Sequence, residues 1–130
     1  MIDDETVARL RHHWDDGWNR GDVDVIMAPF APEIVFTSPF VEKLTDPPVA
    51  AIEGADALRA YVEHALARTP GIRYEVHGAY AGVDTVLLVY TCFLPNDTIK
   101  HGADTMHVGD DGQVTGWHCH YSVDSLELTT

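Results

Sequence analysis

Asp104-Thr105-Met106-His107-Val108, the turn Gly109-Asp110-Asp111-Gly112, and Gln113-Val114-Thr115-Gly116-Trp117-His118-Cys119-His120-Tyr121 decide the fold class. Apolar and polar residues alternate on both sides of the turn. That is the period of a strand with one buried face, and the glycine-bounded turn joins the two halves as an antiparallel hairpin. In the second half Trp117, Cys119, Tyr121 and Val123 form the inward set, while His118, His120, Ser122 and Asp124 point away. In the first half Met106 and Val108 define the apolar face, and period two places Asp104 on it. Pairing Val108 with Gln113 sets Asp104 opposite Trp117, unless a bulge in the turn shifts the register. Burial beside an indole raises a carboxyl pKa, so Asp104 is expected to keep a proton near neutrality and to donate a hydrogen bond to a developing oxyanion. The alternative is a structural aspartate that caps a backbone N–H, pairs with an arginine or sits in a bulge.

Upstream of this hairpin the hydrophobic period changes from 3.6 to 2. Asp3 or Asp4 caps a first helix with the stripe Val7, Leu10, Trp14, Trp18, and Gly21 supplies its left-handed stop. Asp22 caps a second, shorter helix with the stripe Val23, Ile26, Met27, Phe30; Ala31-Pro32 ends it before a strand from Glu33 to Ser38. Pro39 to Glu53 carries Pro39, Pro47 and Pro48 without a sustained period, and reads either as a long loop over a cleft or as a plain surface connection. Ala55 to Thr69 repeats Leu58, Tyr61, Val62, Ala65, Leu66 at helical spacing, before the Pro70-Gly71 stop. From Ile72 onward, turn signals at 82–84, 95–97 and 109–112 divide the chain into four strands of an antiparallel meander. The expected architecture is α+β: three helices packed on one face of a curved, mainly antiparallel sheet, with a ligand site between the layers.

Composition narrows the function. The chain has 130 residues, 8 Lys+Arg against 21 Asp+Glu and a formal net charge of −13, with 45% apolar residues. One domain over 1–130 with a self-sufficient core is expected. Phosphate backbones and anionic membranes would be repelled, so neither nucleic acid nor membrane is an expected partner. Cys92 and Cys119 make no metal-ligand spacing, and the acidic N-terminal segment and short aliphatic runs match no targeting or spanning segment. A reducing, cytoplasmic setting follows as the expectation.

Trp18-Asn19-Arg20-Gly21-Asp22, Phe30-Ala31-Pro32-Glu33, Gly54, Tyr61 and Asp110-Asp111-Gly112-Gln113-Val114 together resemble the nuclear transport factor 2-like superfamily, which includes SnoaL-like polyketide cyclases, ketosteroid isomerases and limonene epoxide hydrolases. The resemblance implies a cone-shaped α+β barrel with a deep apolar pocket for a small organic ligand, in a homodimer packed through the outer sheet face. Asp104-x-x-x-Val108 followed by Gly112-x-Val114 is similar to the isomerase strand whose aspartic acid stabilises a dienolate. Departures accompany it. Trp14 stands where that family has its oxyanion-binding tyrosine, and Ser38 where it has its proton-shuttling aspartate. Cys119 stands where the hydrolases and cyclases have an acid-base aspartate, and the hydrolases' Arg-x-Asp is missing from 86–93.

The resulting candidates are Asp104, Ser38 and Tyr61 for acid-base chemistry and substrate orientation, with Trp14, Trp18, Met106, Trp117, Cys119 and Tyr121 as the ligand-binding wall. Tyr90 joins them if its strand face turns inward. Cys119 is a nucleophile only with a lowered pKa; in apolar surroundings a thiol is inert. His118-x-His120 is able to chelate a metal, but alternation assigns both rings to the outer face, so neither metal nor other cofactor is expected. The function expected is an isomerase, cyclase or dehydratase acting on an apolar, carbonyl-bearing compound; the alternative is a non-catalytic binder using the same cavity.

Overall fold

The computed structural model describes residues 2–124. Asp3 opens α1 (Asp4–His12) by accepting a hydrogen bond from Thr6 N at 2.8 Å. The helix then widens into a π turn over His13–Gly17 and tightens into a 3-10 turn, Trp18–Arg20. The wide turn buries His13, Trp14 and Gly17 together. Gly17 is required there, because a Cβ would lie 2.8 Å from Cγ1 of Ile26 on the next helix. Gly21 stops the run at φ 64°, and Asp22 caps α2 (Val23–Met27) by accepting from Val25 N.

The second helix is shorter than its apolar stripe implies, and Phe30 belongs to β1 (Phe30–Thr37) instead. Pro29 disfavours helix in the residue before it, and its carbonyl accepts from Val114 N at 2.8 Å, committing the chain to the sheet. The segment 39–53 is likewise not a bare loop. It holds a one-turn helix, α3 (Val41–Leu44), and a short strand, β2 (Ile52–Glu53), that pairs with β1. α4 (Ala55–Arg68) follows, with Leu58 and Val62 fully buried where it packs on β1.

β3 (Arg73–Ala81), β4 (Thr85–Phe93), β5 (Ile99–Val108) and β6 (Val114–Tyr121) form the meander, and the sheet order is β2-β1-β6-β5-β4-β3, antiparallel except for β1 beside β6. Irregularities at Val76/Gly78 and His107/Val108 bend the sheet around the helices. The hairpin departs from the expected register in two one-residue steps, a turn that pairs Val108 with Val114 and an extra residue, Thr115, at the second irregularity, so that Met106 pairs with Trp117 and Asp104 with Cys119. Asp104 therefore faces inward as expected, but Trp117 is its diagonal neighbour. β6 ends at Tyr121, so Val123, expected inward, is 69% exposed.

The outer sheet face carries an array of histidines held by hydroxyls and carbonyls. His118 lies 2.6 Å from Thr37 Oγ1, His77 2.6 Å from Thr91 Oγ1, and His120 3.1 Å from the Ala103 carbonyl. Among the described residues no group of three or more His, Cys, Asp or Glu is placed to hold a metal, and no helix is long and apolar enough to cross a membrane.

Candidate active site

The helices and the concave sheet face enclose a cavity of about 290 Å³, at the small end of the usual ligand-pocket range. Of the sequence-derived candidates, Asp104, Ser38, Tyr61, Trp14, Trp18, Trp117, Cys119 and Tyr121 all line it. Met106 does not. It is fully buried one inward position beyond Asp104, where Trp117 stacks on Phe30 (5.0 Å, 11°) and packs against Phe36 (4.4 Å), filling the narrow end of the cone. The 39–53 segment contributes Phe40, Lys43 and Leu44 to the wall, so it does cover the cleft.

Asp104, 1% exposed, is the polar centre. Tyr90 Oη donates to Oδ1 at 2.8 Å; Trp117 Nε1 at 2.8 Å and the Cys119 thiol at 3.2 Å donate to Oδ2. An ionised carboxylate accepts all three, whereas a protonated one would have to return a proton to one of these donors. Two opposing causes set its acidity. Burial pushes the pKa up, the three donors pull it back, and the result is about 6. The Tyr121 ring stands edge-on to Tyr90 at 6.4 Å, so Tyr121, Tyr90 and Asp104 form a series along the pocket wall.

The other candidates divide by environment. Burial raises the pKa values of Tyr61, Tyr90, Tyr121 and Cys119 well above the neutral range, so the phenols stay protonated and Cys119 stays a thiol. Ser38 Oγ accepts from Phe40 N at 3.3 Å, an N-terminal clasp on α3. Tyr61 packs its ring on Phe36 at 5.3 Å. Trp14 lies against the Tyr90 ring at 5.8 Å and 33°, forming part of the wall.

Two participants escape a reading by apolar alternation. His13, from the His12-His13 pair, is 0% exposed, with Nδ1 2.8 Å from the Ile26 carbonyl and Nε2 accepting from Trp18 Nε1 at 3.0 Å. It thereby fixes Trp18 in the pocket wall. Gly102 sits directly across from Tyr90 in the β4/β5 ladder. A Cβ there would lie 2.7 Å from Cζ and the hydroxyl oxygen of Tyr90 and 2.8 Å from Cε1. The absent side chain is what lets the phenol lean over β5 to reach Asp104, and an isolated glycine inside a strand pattern is the signal for such an approach. Gly102→Ala is expected to cost about 1–3 kcal/mol by overpacking. It should also pull the Tyr90 hydroxyl off Asp104, visible as a lowered urea midpoint and a lengthened Oη–Oδ1 distance in a crystal structure. An unchanged midpoint and distance would show that the backbone of β5 gives way to the methyl and that the glycine is not what positions Tyr90.

An α+β cone closing on an apolar cavity, with one buried carboxylate and a series of phenols inside it, is the architecture of the nuclear transport factor 2-like superfamily. Residues 10–117 match the model of the SnoaL-like domain, and the chain belongs to that family. A SnoaL-like protein of unknown function from Burkholderia thailandensis is 25% identical, with a TM-score of 0.79 over 94% of this chain and 99% of its own. TerC, crystallised with polyporic acid, is 13% identical, with a TM-score of 0.76 over 95% of each chain. A candidate SnoaL-like polyketide cyclase from Jannaschia sp. is 17% identical, with a TM-score of 0.73 over 97% of this chain and 91% of its own. The last two likenesses are of fold alone. No curated protein matches the sequence.

Proposed function

We propose that the protein is a small-molecule enzyme performing acid-base chemistry on an apolar, carbonyl-bearing compound, of isomerase, cyclase or dehydratase type. The observation that carries this reading is the Tyr121, Tyr90, Asp104 series, with its carboxyl poised at about 6 inside an apolar cavity. A carboxyl near that value both takes and returns a proton at neutral pH, which general catalysis requires. Tyr121, a protonated donor in a dry wall, would hold a ligand oxygen as negative charge develops on it, while Tyr90 keeps its proton on Asp104. Asp104 would set the electron density on Tyr90 and accept the proton passed along the series. Tyr61 and Ser38 border the same space and would orient the substrate, and the three tryptophans would exclude water.

One observation favours a binding protein instead: both Asp104 oxygens are already engaged by side chains of the chain itself. A binder needs shape and a hydrogen bond, and nothing that turns over. The reading also takes the histidine-bearing outer sheet face as the surface that pairs two copies. Native mass spectrometry beside a denatured control tests all of it. The expected result is a dimer retaining an apolar carbonyl or phenolic compound, which the protein then converts. A retained compound that is never converted would overturn catalysis in favour of binding, and a monomer would overturn the pairing.

A further inference from the structure

We infer that the outer sheet face joins two copies of the chain only while its histidines are neutral, so that mild acid separates the pair. This rests on the pairing stated above and names its regulation. Across the outward side of β4, β5 and β6 the rows run Leu87, Thr105, His118 and then Val89, Ala103, His120. Leu87 and Val89 are apolar and half-buried. The three strands carry one acid and one lysine between them, Asp104 and Lys100, and both lie with Gly102 on the inner face of β5, where they line the cavity.

Charge selects the occupant. A chain of net charge −13 repels its own copies wherever carboxylates meet, and this face lets two copies meet without them. The charged groups around it stand at its margins: Arg73 and Glu75, 3.6 Å apart on β3, Asp84 beside His107 ahead of β4, and the exposed Glu33 and Glu53 on β1 and β2. Its centre is flat, because Gly116 leaves room for the His118 ring; a Cβ there would lie 3.3 Å from Nε2. Thr37 faces that ring from β1 and Thr105 from β5.

Protonation puts like charges into this centre. The Ala103 carbonyl accepts from His120 Nδ1, which fixes the proton of the neutral ring there and leaves Nε2 to take the second one. Asp104, behind the sheet, couples to His120. Burial, and His120 after it, already pull the His118 pKa down. A second copy laid on the face takes both rings further out of water and disfavours their charged forms. Protons then bind the separate chains better than the pair and drive it apart. Acid also lowers the net charge of each copy, but in about 0.15 M salt the marginal carboxylates are screened beyond about 8 Å, whereas rings inside the contact are not. The local cost sets the sign.

The test is sedimentation equilibrium of the full chain in about 0.15 M sodium chloride at about pH 7.5 and 5.5, with circular dichroism at each pH. With one imidazole per copy kept from protonating, and an ordinary value of about 6.5 in the separate chain, the dimer dissociation constant is expected to rise about 100-fold between the two. His118→Gln/His120→Gln should cut that rise to about tenfold or less. Val89→Lys, which sets a charge in the contact, should be monomeric at the higher pH. A wild-type dimer equally strong at both values, or stronger in acid, overturns the switch and leaves the pairing standing. A Val89→Lys dimer of wild-type strength assigns the contact to another face and overturns the inference, as does dissociation that comes with loss of the helical signal. A wild type monomeric at the higher pH overturns the pairing and the switch together.

Discussion

Asp104→Asn is expected to lower turnover of the retained compound about 100- to 1,000-fold, with a thermal midpoint unchanged or raised at pH 7 and above. The two halves of this expectation have different causes. Asparagine keeps the shape, and its carbonyl serves Trp117 Nε1 and the Cys119 thiol at the Oδ2 position. Its NH2 then faces Tyr90, which must accept where it now donates. Tyr90 must turn its proton away from Asp104, and the series loses both its base and its direction. Stability moves the other way. A pKa raised to about 6 means that the folded state bears the cost of a buried charge above that pH, and the amide removes it. Steady-state kinetics beside differential scanning calorimetry check the pair of outcomes. Equal kinetics in the two proteins would take Asp104 out of the chemistry. A large drop in midpoint would make it a structural group.

His13→Leu is expected to destabilise the fold by about 3–5 kcal/mol. The ring satisfies the Ile26 carbonyl on one side and the Trp18 indole N–H on the other, and leucine leaves both buried and unpaired. It also packs edge-on to Trp14 at 4.4 Å and to Trp117 at 4.9 Å, so the loss reaches the pocket wall. His13→Gln, which offers one donor and one acceptor, should recover part of the difference in urea unfolding. Equal losses for Leu and Gln would show that packing, not polarity, holds the site. Burial pulls the His13 pKa down to about 3, and the bond to the Ile26 carbonyl only partly offsets that. The unfolded chain therefore binds its proton first as pH falls from about 6.5, and stability declines by about 1.4 kcal/mol per pH unit down to 3. Asp104 has the opposite sign: the folded chain protonates first, near 6, so stability grows as pH falls toward 3.8. The two slopes oppose between about 6 and 3.8. Unfolding across that window should be nearly flat in the wild type and one proton steeper in Asp104→Asn. Parallel curves would mean that Asp104 has an ordinary acidity.

Much of the cone was legible because its elements announce themselves locally. Gly21 and Asp22 mark a stop and a start, the α4 stripe is long, and alternation in the last hairpin assigns faces residue by residue. Asp104 was legible for the same reason, since a carboxylate on an apolar face is an exception to a clear rule. What was not legible is pairing over distance. A turn one residue longer than expected and the extra residue Thr115 opposite His107/Val108 together replace Trp117 with Cys119 opposite Asp104, and turn sequence reveals neither. Phe30 fits a helical stripe and a strand equally well, and only β6, far along the chain, decides between them. Met106 satisfies alternation, yet how deep the cavity runs depends on the stacking of Phe30, Phe36 and Trp117, which no single segment encodes. Tyr90, Gly102 and Lys100 acquire meaning only when β4 and β5 lie side by side.

The face shared by Lys100, Gly102 and Asp104 makes β5 a graduated ruler. Its marks fall every second residue, about 7 Å apart, so side chains in the cavity are spaced in steps and not continuously. A one-residue insertion between positions 100 and 104 would not lengthen the spacing slightly; it would turn one of Lys100 and Asp104 to the outer face. Two residues would keep both on the inner face and separate them by a further graduation. Parity along a single strand, more than the volume of the cone, is then the variable that decides which side chains the cavity presents.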